Sequence, residues 1–121
     1  KRRSGHNVAE VMNIIGDVEG KVAVMVDDMI DTAGTITKGG EVLLNEGARS
    51  VIACATHPVF SGPAIERLSS GVFDEVIVTN SIPPVHKPGE FPQLTVLSVA
   101  SLLGESIWRV HNSSSINALG M

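Results

Sequence analysis

The chain has 121 residues, of which 43% are hydrophobic and 18% are charged, and it carries a formal net charge of -4. This length suits one domain with one core, and the small charged fraction favours a surface that is partly interface. The acidic balance excludes the basic surface that binds nucleic acid or an anionic membrane. The aliphatic run 22–26 is too short for a membrane helix, which needs roughly 18 apolar residues.

The first twenty residues fit two different predictions. Four apolar residues recur at helical spacing, namely Val8, Val11, Met12 and Ile15. Asn7 with Glu10 three residues later fits a capping box, which favours a helix. The short apolar run 11–15 ends at Gly16 and closely precedes the next strand, so it equally fits one of two hairpin-connected strands. These residues alone leave both predictions open.

From residue 21 onward, apolar runs alternate with amphipathic segments. Strands are predicted at residues 21–26, 50–56, 74–79 and 94–99. Helices are predicted at residues 35–46, from Pro63 onward, and at about 100–111. Strands that alternate with helices are typical of a parallel sheet covered by helices, so the sequence predicts an α/β fold.

Each predicted helix has an apolar side. In the first helix, Val42 and Leu43 should face the sheet, and Gly47 should follow its last turn. Pro63 suits the first turn of the second helix, after a loop at residues 57–62. The apolar residues of the later helices recur at helical spacing, namely Ala64, Ile65 and Leu68 in the second and Leu102, Leu103, Ile107 and Val110 in the third.

The cysteine and the histidines do not indicate a metal site. Cys54 is the only cysteine and lies in an apolar run, so we predict a reduced thiol in the core. The four histidines are spread without the spacing of metal ligands: His6, His57, His86 and His111. We therefore predict no metal site within this chain.

The strongest functional signal follows the first predicted strand. Ligands of open parallel sheets bind beyond the carboxyl ends of the strands, where Asp27 and Asp28 are expected. Residues 31–35 then form a turn into a helix, which offers backbone N–H groups to a phosphate. The carboxylates suit ribose hydroxyls, so the segment predicts a sugar-phosphate site. The structural alternative is that Asp31 or Thr35 only caps the helix while the acidic pair is solvated.

A family resemblance covers nearly the whole chain. The first predicted strand is followed by two acids, two apolar residues and then Asp31-Thr32-Ala33-Gly34-Thr35. This order resembles the signature that binds phosphoribosyl pyrophosphate (PRPP) in type I phosphoribosyltransferases and PRPP synthetases. The flanking segments resemble PRPP synthetases: Lys1-Arg2-Arg3 and residues 7–16, 56–64, 78–82 and 109–111. The chain thus resembles the carboxy-terminal half of the ribose-phosphate pyrophosphokinase (PRPP synthetase) family. This resemblance also favours a strand in the first segment.

The resemblance implies a ribose-phosphate diphosphokinase, which transfers pyrophosphate from MgATP to C1 of ribose 5-phosphate and gives PRPP and AMP for nucleotide biosynthesis. Lys1 and Arg3 match the catalytic loop of the family and are expected to stabilise phosphoryl charge. Asp28 is expected to orient the loop or a hydrated metal. The residues expected to bind ribose 5-phosphate are Arg3, Asp27, Asp28, Asp31, Thr32, Ala33, Gly34 and Thr35.

The resemblance also implies an incomplete copy of a two-domain architecture. Residues 1–121 are expected to form a carboxy-terminal phosphoribosyltransferase-like domain, in which 1–16 are the remnant of the catalytic flexible loop and its return strand and 27–35 are the ribose-phosphate loop. The cofactor is expected to be Mg²⁺, with its ligands mostly outside this chain. Because the ATP site is then incomplete, the isolated chain is expected to have little or no synthetase activity.

The resemblance further implies a homo-oligomer, which is a hexamer in the family, in the cytoplasm or alternatively in the plastid. Two other functions stay open. A base phosphoribosyltransferase shares the phosphate loop, although the Lys1 to Gly16 segment argues against it. A non-catalytic regulatory or assembly subunit is the second alternative, although such proteins tend to lose the loop cations and acids that this chain retains.

Overall fold

A computed structural model describes residues 14–83 and 86–120. Its elements in chain order are β1 (Val22–Ile30), α1 (Gly34–Asn45), β2 (Ser50–Pro58), α2 (Ala64–Leu68), β3 (Glu75–Thr79), β4 (Leu94–Leu97), α3 (Ala100–His111) and a 3-10 helix (Asn117–Gly120). The strands form one parallel sheet in the order β1, β2, β3, β4. The predicted α/β fold is confirmed. Among these residues, no helix combines the length and the apolarity needed to cross a membrane.

The core lies on one face of this sheet. Side chains alternate between the two faces along a strand. The buried residues of the central strands are Val51, Ala53 and Ala55 in β2 and Val76 and Val78 in β3. On β1, Ala23 and Met25 pack against this core. Val22, Val24 and Val26 alternate with them and are 40%, 58% and 79% exposed, so the described residues leave the other face of β1 open.

The first two helices cover the buried face. Because the strand order follows the chain order, right-handed crossovers place α1 and α2 on the same side of the sheet. The approach of α1 depends on Gly40. A Cβ atom at this position would lie 2.7 Å from Val72 Cγ1 and 3.0 Å from Phe73 Cε1. The absence of a side chain at Gly40 therefore sets how deeply α1 packs.

Replacing Gly40 by alanine is expected to lower the free energy of unfolding by about 1–3 kcal/mol, because the new methyl group overpacks the core. Alanine alone would stabilise a helix interior by roughly 0.5–1 kcal/mol relative to glycine. Gly104 in α3 is the matched control, since a Cβ there meets nothing within 4 Å. Gly104→Ala should therefore stabilise. Urea unfolding measures both variants, and shifts of the same sign would contradict close packing at Gly40.

The structure corrects several predicted strand ends. β1 extends to Ile30 and β2 to Pro58, whereas the predictions ended them at residues 26 and 56. These extra residues pair with each other, with Met29 opposite His57 and Ile30 opposite Pro58. Backbone pairing continues past the apolar runs, so hydrophobicity does not mark where these strands end. The loop predicted at 57–62 accordingly begins at Val59, and β4 ends at Leu97 rather than at residue 99.

A glycine follows the last turn of α1, as the sequence predicted. Gly47 has a φ of 96°, which is a left-handed conformation that favours glycine. Its N–H donates to the Leu44 carbonyl, and the N–H of Ala48 donates to the Leu43 carbonyl, both at 3.0 Å. Leu43 also packs against the core, as predicted, while Val42 is half-buried. The predicted C-terminal glycine of the first helix is confirmed.

The two later helices differ in how they pack. α2 has five residues and buries Ala64 and Leu68, as its spacing predicted. α3 has the predicted bounds, but none of its residues is buried by the described part of the chain. Its predicted apolar residues Leu102, Leu103, Ile107 and Val110 are instead exposed.

The predicted segment 1–16 lies mostly outside the described residues. Of the apolar run 11–15, only Ile14 and Ile15 are described, and neither belongs to a helix or a strand. Neither the predicted helix nor the predicted return strand therefore includes these two residues.

Candidate functional site

A cavity of about 380 Å³ lies at the carboxyl end of β1. The continuous segment 25–36 lines it, and small-molecule sites typically fall between roughly 300 and 1,000 Å³. The segment includes all of the described residues that the sequence predicted for ribose 5-phosphate: Asp27, Asp28, Asp31, Thr32, Ala33, Gly34 and Thr35. The structure thus brings these seven residues to one cavity.

The acidic pair lies within β1, which corrects the prediction that it follows the strand. Consecutive strand residues point to opposite faces, so the two carboxylates lie on opposite sides of the strand end. Asp27 Oδ1 accepts a hydrogen bond from the Asp28 N–H at 2.8 Å, and Asp28 Oδ1 accepts one from the Met29 N–H at 2.8 Å. Asp27 is half-buried and Asp28 is exposed. The pair therefore presents carboxylates in two directions at the strand end.

The start of α1 has no side-chain cap within the described part of the chain. The N-cap position is Ala33, whose methyl group cannot accept a hydrogen bond. The first N–H groups of a helix lack carbonyl partners inside the helix, and an uncapped end offers them to a ligand. The alternative in which Asp31 or Thr35 caps this helix is therefore wrong.

Ala33 has a strained backbone that the sequence did not reveal. Its φ is 65° and its ψ is 12°, a left-handed conformation that residues with a Cβ rarely adopt. Such strain clusters at functional sites, where the surrounding structure holds it in place. The neighbouring Gly34 does not have a positive φ. The motif therefore places its left-handed residue at the alanine rather than at the glycine.

Gly34 instead leaves space for the Arg67 side chain. A Cβ at this position would lie 3.1 Å from Arg67 Nη1 and 3.8 Å from Arg67 Cζ. Arg67 belongs to α2, and its Nη1 donates a hydrogen bond to the Thr32 carbonyl at 3.0 Å. Sequence reasoning missed Arg67, because an arginine in a short amphipathic helix normally lies in solvent.

Four successive carbonyls at this turn each accept a hydrogen bond from the protein. The bonds run from Phe60 N to Ile30 O at 3.1 Å, from Ser61 N to Asp31 O at 2.9 Å, from Arg67 Nη1 to Thr32 O at 3.0 Å and from Thr37 N to Ala33 O at 3.1 Å. Carbonyl oxygens carry partial negative charge and repel a phosphate. Their engagement by protein donors leaves the N–H groups as the polar backbone groups available to an anion.

The ends of β2 and β3 carry further polar groups. His57 Nδ1 lies 2.9 Å from Ser81 Oγ, and Thr79 Oγ1 donates to the Thr56 carbonyl at 2.7 Å. Residues 14–83 and 86–120 contain no group of three or more His, Cys, Asp or Glu residues that could hold a metal ion. The predicted catalytic residues Lys1 and Arg3 lie outside the described residues, so they have no structural placement here.

The comparison with known families covers most of the chain. The family model described as the phosphoribosyl synthetase-associated domain matches residues 6–120. The chain belongs to the phosphoribosyl synthetase-associated domain family. The resemblance to PRPP synthetases that the sequence motifs carried is thereby confirmed, while the placement in a carboxy-terminal half stays a prediction.

Three similar proteins are longer than this chain. Ribose-phosphate pyrophosphokinase 1 of Spinacia oleracea is 72% identical over 119 residues, which cover 98% of this chain and 35% of that protein. The chloroplastic ribose-phosphate pyrophosphokinase 1 of Arabidopsis thaliana is 71% identical over 119 residues, which cover 98% of this chain and 29% of that protein. The ribose-phosphate pyrophosphokinase of Nostoc sp. is 66% identical over 119 residues, covering 98% and 36%. The chain spans about a third of the length of these relatives.

A solved structure shares the fold. The crystal structure of phosphoribosylpyrophosphate synthetase from Mycobacterium smegmatis matches with a TM-score of 0.77 at 48% sequence identity. The match covers 83% of this chain and 33% of that chain. The phosphoribosyl synthetase-associated domain described here therefore has the α/β architecture of part of a PRPP synthetase.

Proposed function

We propose that this chain supplies the ribose 5-phosphate site of a ribose-phosphate diphosphokinase. In that reaction the C1 oxygen of ribose 5-phosphate bonds to the β-phosphorus of ATP, the bond between that phosphorus and the α-phosphate oxygen breaks, and AMP leaves. The observation that carries the proposal is the uncapped start of α1, which lines the same cavity as the acidic pair. Free N–H groups suit a phosphate and carboxylates suit sugar hydroxyls. Together the two kinds of group suit a sugar phosphate.

The two parts of the cavity have different tasks. The N–H groups of residues 31–35 and of the first turn of α1 bind the 5-phosphate, since the helix end is partially positive. Asp27 accepts hydrogen bonds from ribose hydroxyls, because a carboxylate is an acceptor only and suits donors of that kind. Asp28 orients the loop or contacts a hydrated metal. The sugar is then held at both ends, which positions C1 for transfer.

The loop cations and Mg²⁺ complete the proposal. Lys1 and Arg3 stabilise the charge on the transferred phosphoryl oxygens, and Arg3 also contacts the sugar phosphate. Carboxylate oxygens suit Mg²⁺, which usually keeps several waters, so Asp28 fits an outer contact to the hydrated ion while its other ligands come from outside this chain. When bound with ATP, Mg²⁺ supplies charge neutralisation on the phosphates.

The relatives favour this reaction over the transfer of a base. These relatives are named pyrophosphokinases, and the family model is that of a phosphoribosyl synthetase-associated domain. Non-catalytic subunits tend to lose the loop cations or the acids, whereas Asp27, Asp28 and Asp31 are all present at the cavity. We therefore prefer the diphosphokinase to both alternatives.

The proposal includes a homo-oligomer in the cytoplasm or the plastid. The exposed apolar residues of α3, including Ile107 at 71% and Val110 at 67%, support a contact with further protein. The chloroplastic names of the Arabidopsis relatives support the plastid. A fluorescent fusion of the full-length protein separates the two compartments, and light scattering measures the oligomer.

The proposal is tested with the full-length protein and its Asp27→Ala variant. The wild type should release AMP only when MgATP and ribose 5-phosphate are both present. Asp27→Ala should bind ribose 5-phosphate about 10- to 100-fold more weakly, because hydrogen bonds that involve charged groups contribute roughly 1.5–3 kcal/mol. Calorimetric titration measures the affinity. Unchanged binding would remove the assignment of Asp27 to the ribose, and consumption of PRPP with a free base would replace the reaction.

A further inference from the structure

We infer that Arg67 is a positioning residue that holds the Thr32–Ala33 peptide in the orientation that binds phosphate. The inference rests on the proposed ribose 5-phosphate site and adds a residue outside the binding motif. Arg67 lies 35 positions after Thr32 in the chain, yet its Nη1 donates to the Thr32 carbonyl at 3.0 Å. It does not line the cavity, so it acts through the loop.

The orientation of this peptide decides which of its groups faces the ligand. The C=O and the N–H of a peptide unit point in opposite directions. With the Thr32 carbonyl directed at Arg67, the N–H of Ala33 points away from Arg67. A reversed peptide would instead present a partially negative oxygen on that side, where a phosphate would be repelled.

The backbone of Ala33 shows that this orientation is not the relaxed one. Reversing the peptide rotates ψ of Thr32 and φ of Ala33 by about 180°, which would take φ of Ala33 from 65° to about -115°, an ordinary value for alanine. The local backbone preference therefore favours the reversed peptide. The Arg67 hydrogen bond opposes that preference and keeps the N–H directed away from Arg67.

The neighbouring bonds make Arg67 the critical contact. The carbonyls of Ile30 and Asp31 accept hydrogen bonds from the backbone N–H groups of Phe60 and Ser61, which do not depend on a side chain. The Thr32 carbonyl is held by a side chain. Gly34 is part of the same arrangement, since a Cβ there would lie 3.1 Å from Arg67 Nη1 and the guanidinium would have to shift by a few tenths of an ångström.

The test is a double-mutant cycle in the full-length protein, with affinity for ribose 5-phosphate measured by calorimetry. Arg67→Gln should bind ribose 5-phosphate about tenfold more weakly than the wild type. The Arg67→Gln/Ala33→Gly double variant should bind at least threefold more tightly than Arg67→Gln. Glycine adopts the left-handed conformation without a Cβ penalty, so the loop should depend less on the arginine. The Ala33→Gly single variant is the reference for the cycle.

The outcomes distinguish a positioning role of Arg67 from the absence of any role in binding and from an effect of its charge or of the fold. If Arg67→Gln binds as tightly as the wild type, the inference is overturned. If the loss persists unchanged in the double variant, Arg67 acts by its charge or through the fold, and the inference is likewise overturned. A wild type that does not bind ribose 5-phosphate contradicts the proposed function itself, which distinguishes the two failures.

A second variant keeps the arginine in place. Gly34→Ala should weaken binding in the wild-type background and should have a smaller effect when Arg67 is already glutamine, because both changes disturb the contact between Arg67 and Thr32. Fully additive losses would contradict the inference even if Arg67→Gln lowers the stability of the protein. Thermal melting of each variant records that stability.

Discussion

Replacing Thr35 by aspartate is expected to weaken the binding of ribose 5-phosphate on the order of 100-fold, because a carboxylate would face the phosphate across the cavity. Thr35 lines the cavity in the first turn of α1. The repulsion acts on the bound phosphate and not on the fold. Calorimetric titration with ribose 5-phosphate, set beside titration with ribose, measures the loss that is specific to the phosphate.

The same substitution should leave the protein folded. The first turn of α1 contains no acidic residue, and an acid near a helix N-terminus stabilises by roughly 0.3–1 kcal/mol. Thr35→Asp should therefore keep the wild-type unfolding midpoint or exceed it. Thr35→Asn is the matched control, since it has the same size without the charge, and it should retain most of the affinity. Equal losses in the two variants would argue against a phosphate at this end of the helix.

The residues at the cavity were predictable from sequence because they lie in one continuous segment. Every described residue of the predicted ribose 5-phosphate set lines the cavity, and these residues lie between positions 27 and 35. A strand that leads directly into a turn and a helix fixes their approximate geometry locally. Recognition of the motif therefore required no knowledge of long-range contacts.

The contacts that hold that segment in place were not predictable, because they come from distant parts of the chain. Arg67 reaches Thr32 only through the tertiary fold, and no local pattern distinguishes it from a solvated arginine. The left-handed backbone of Ala33 was missed for the same reason, since alanine has no intrinsic preference for it. The close approach of Gly34 to Arg67 was missed as well, because that contact also depends on the tertiary fold.

The fold shows a similar division. Periodicity predicted the element order, the parallel sheet and the bounds of α3, because each depends on local hydrophobic spacing. It did not predict which apolar faces are buried within the described residues. Val24 and Val26 on β1 and Ile107 on α3 have the pattern of packed residues and are nevertheless exposed. Spacing identifies an apolar face, but it does not show whether that face packs against another part of the chain.

Replacing Phe73 by alanine is expected to lower the free energy of unfolding by about 3–5 kcal/mol, because it leaves a cavity under α1. Among the residues that the structure describes, Phe73 has the largest fully buried side chain and is 1% exposed. Domains are usually stable by only about 5–15 kcal/mol, so this loss is a large fraction of the total. Phe73→Leu fills much of the same space and should cost less than half as much. Urea unfolding measures both, and similar losses would contradict a packed ring at this position.

Adding ribose 5-phosphate should separate the roles of Phe73 and Thr35. A ligand that binds only the folded state stabilises it by an amount set by its concentration and its dissociation constant. Phe73 does not line the cavity, so saturating ligand should raise the unfolding free energy of Phe73→Ala by nearly the same increment as in the wild type. Thr35→Asp should be stable but gain almost nothing from the ligand. A normal increment in Thr35→Asp would place the phosphate elsewhere, and a lost increment in Phe73→Ala would show that the core packing of α1 also sets the geometry of the phosphate site.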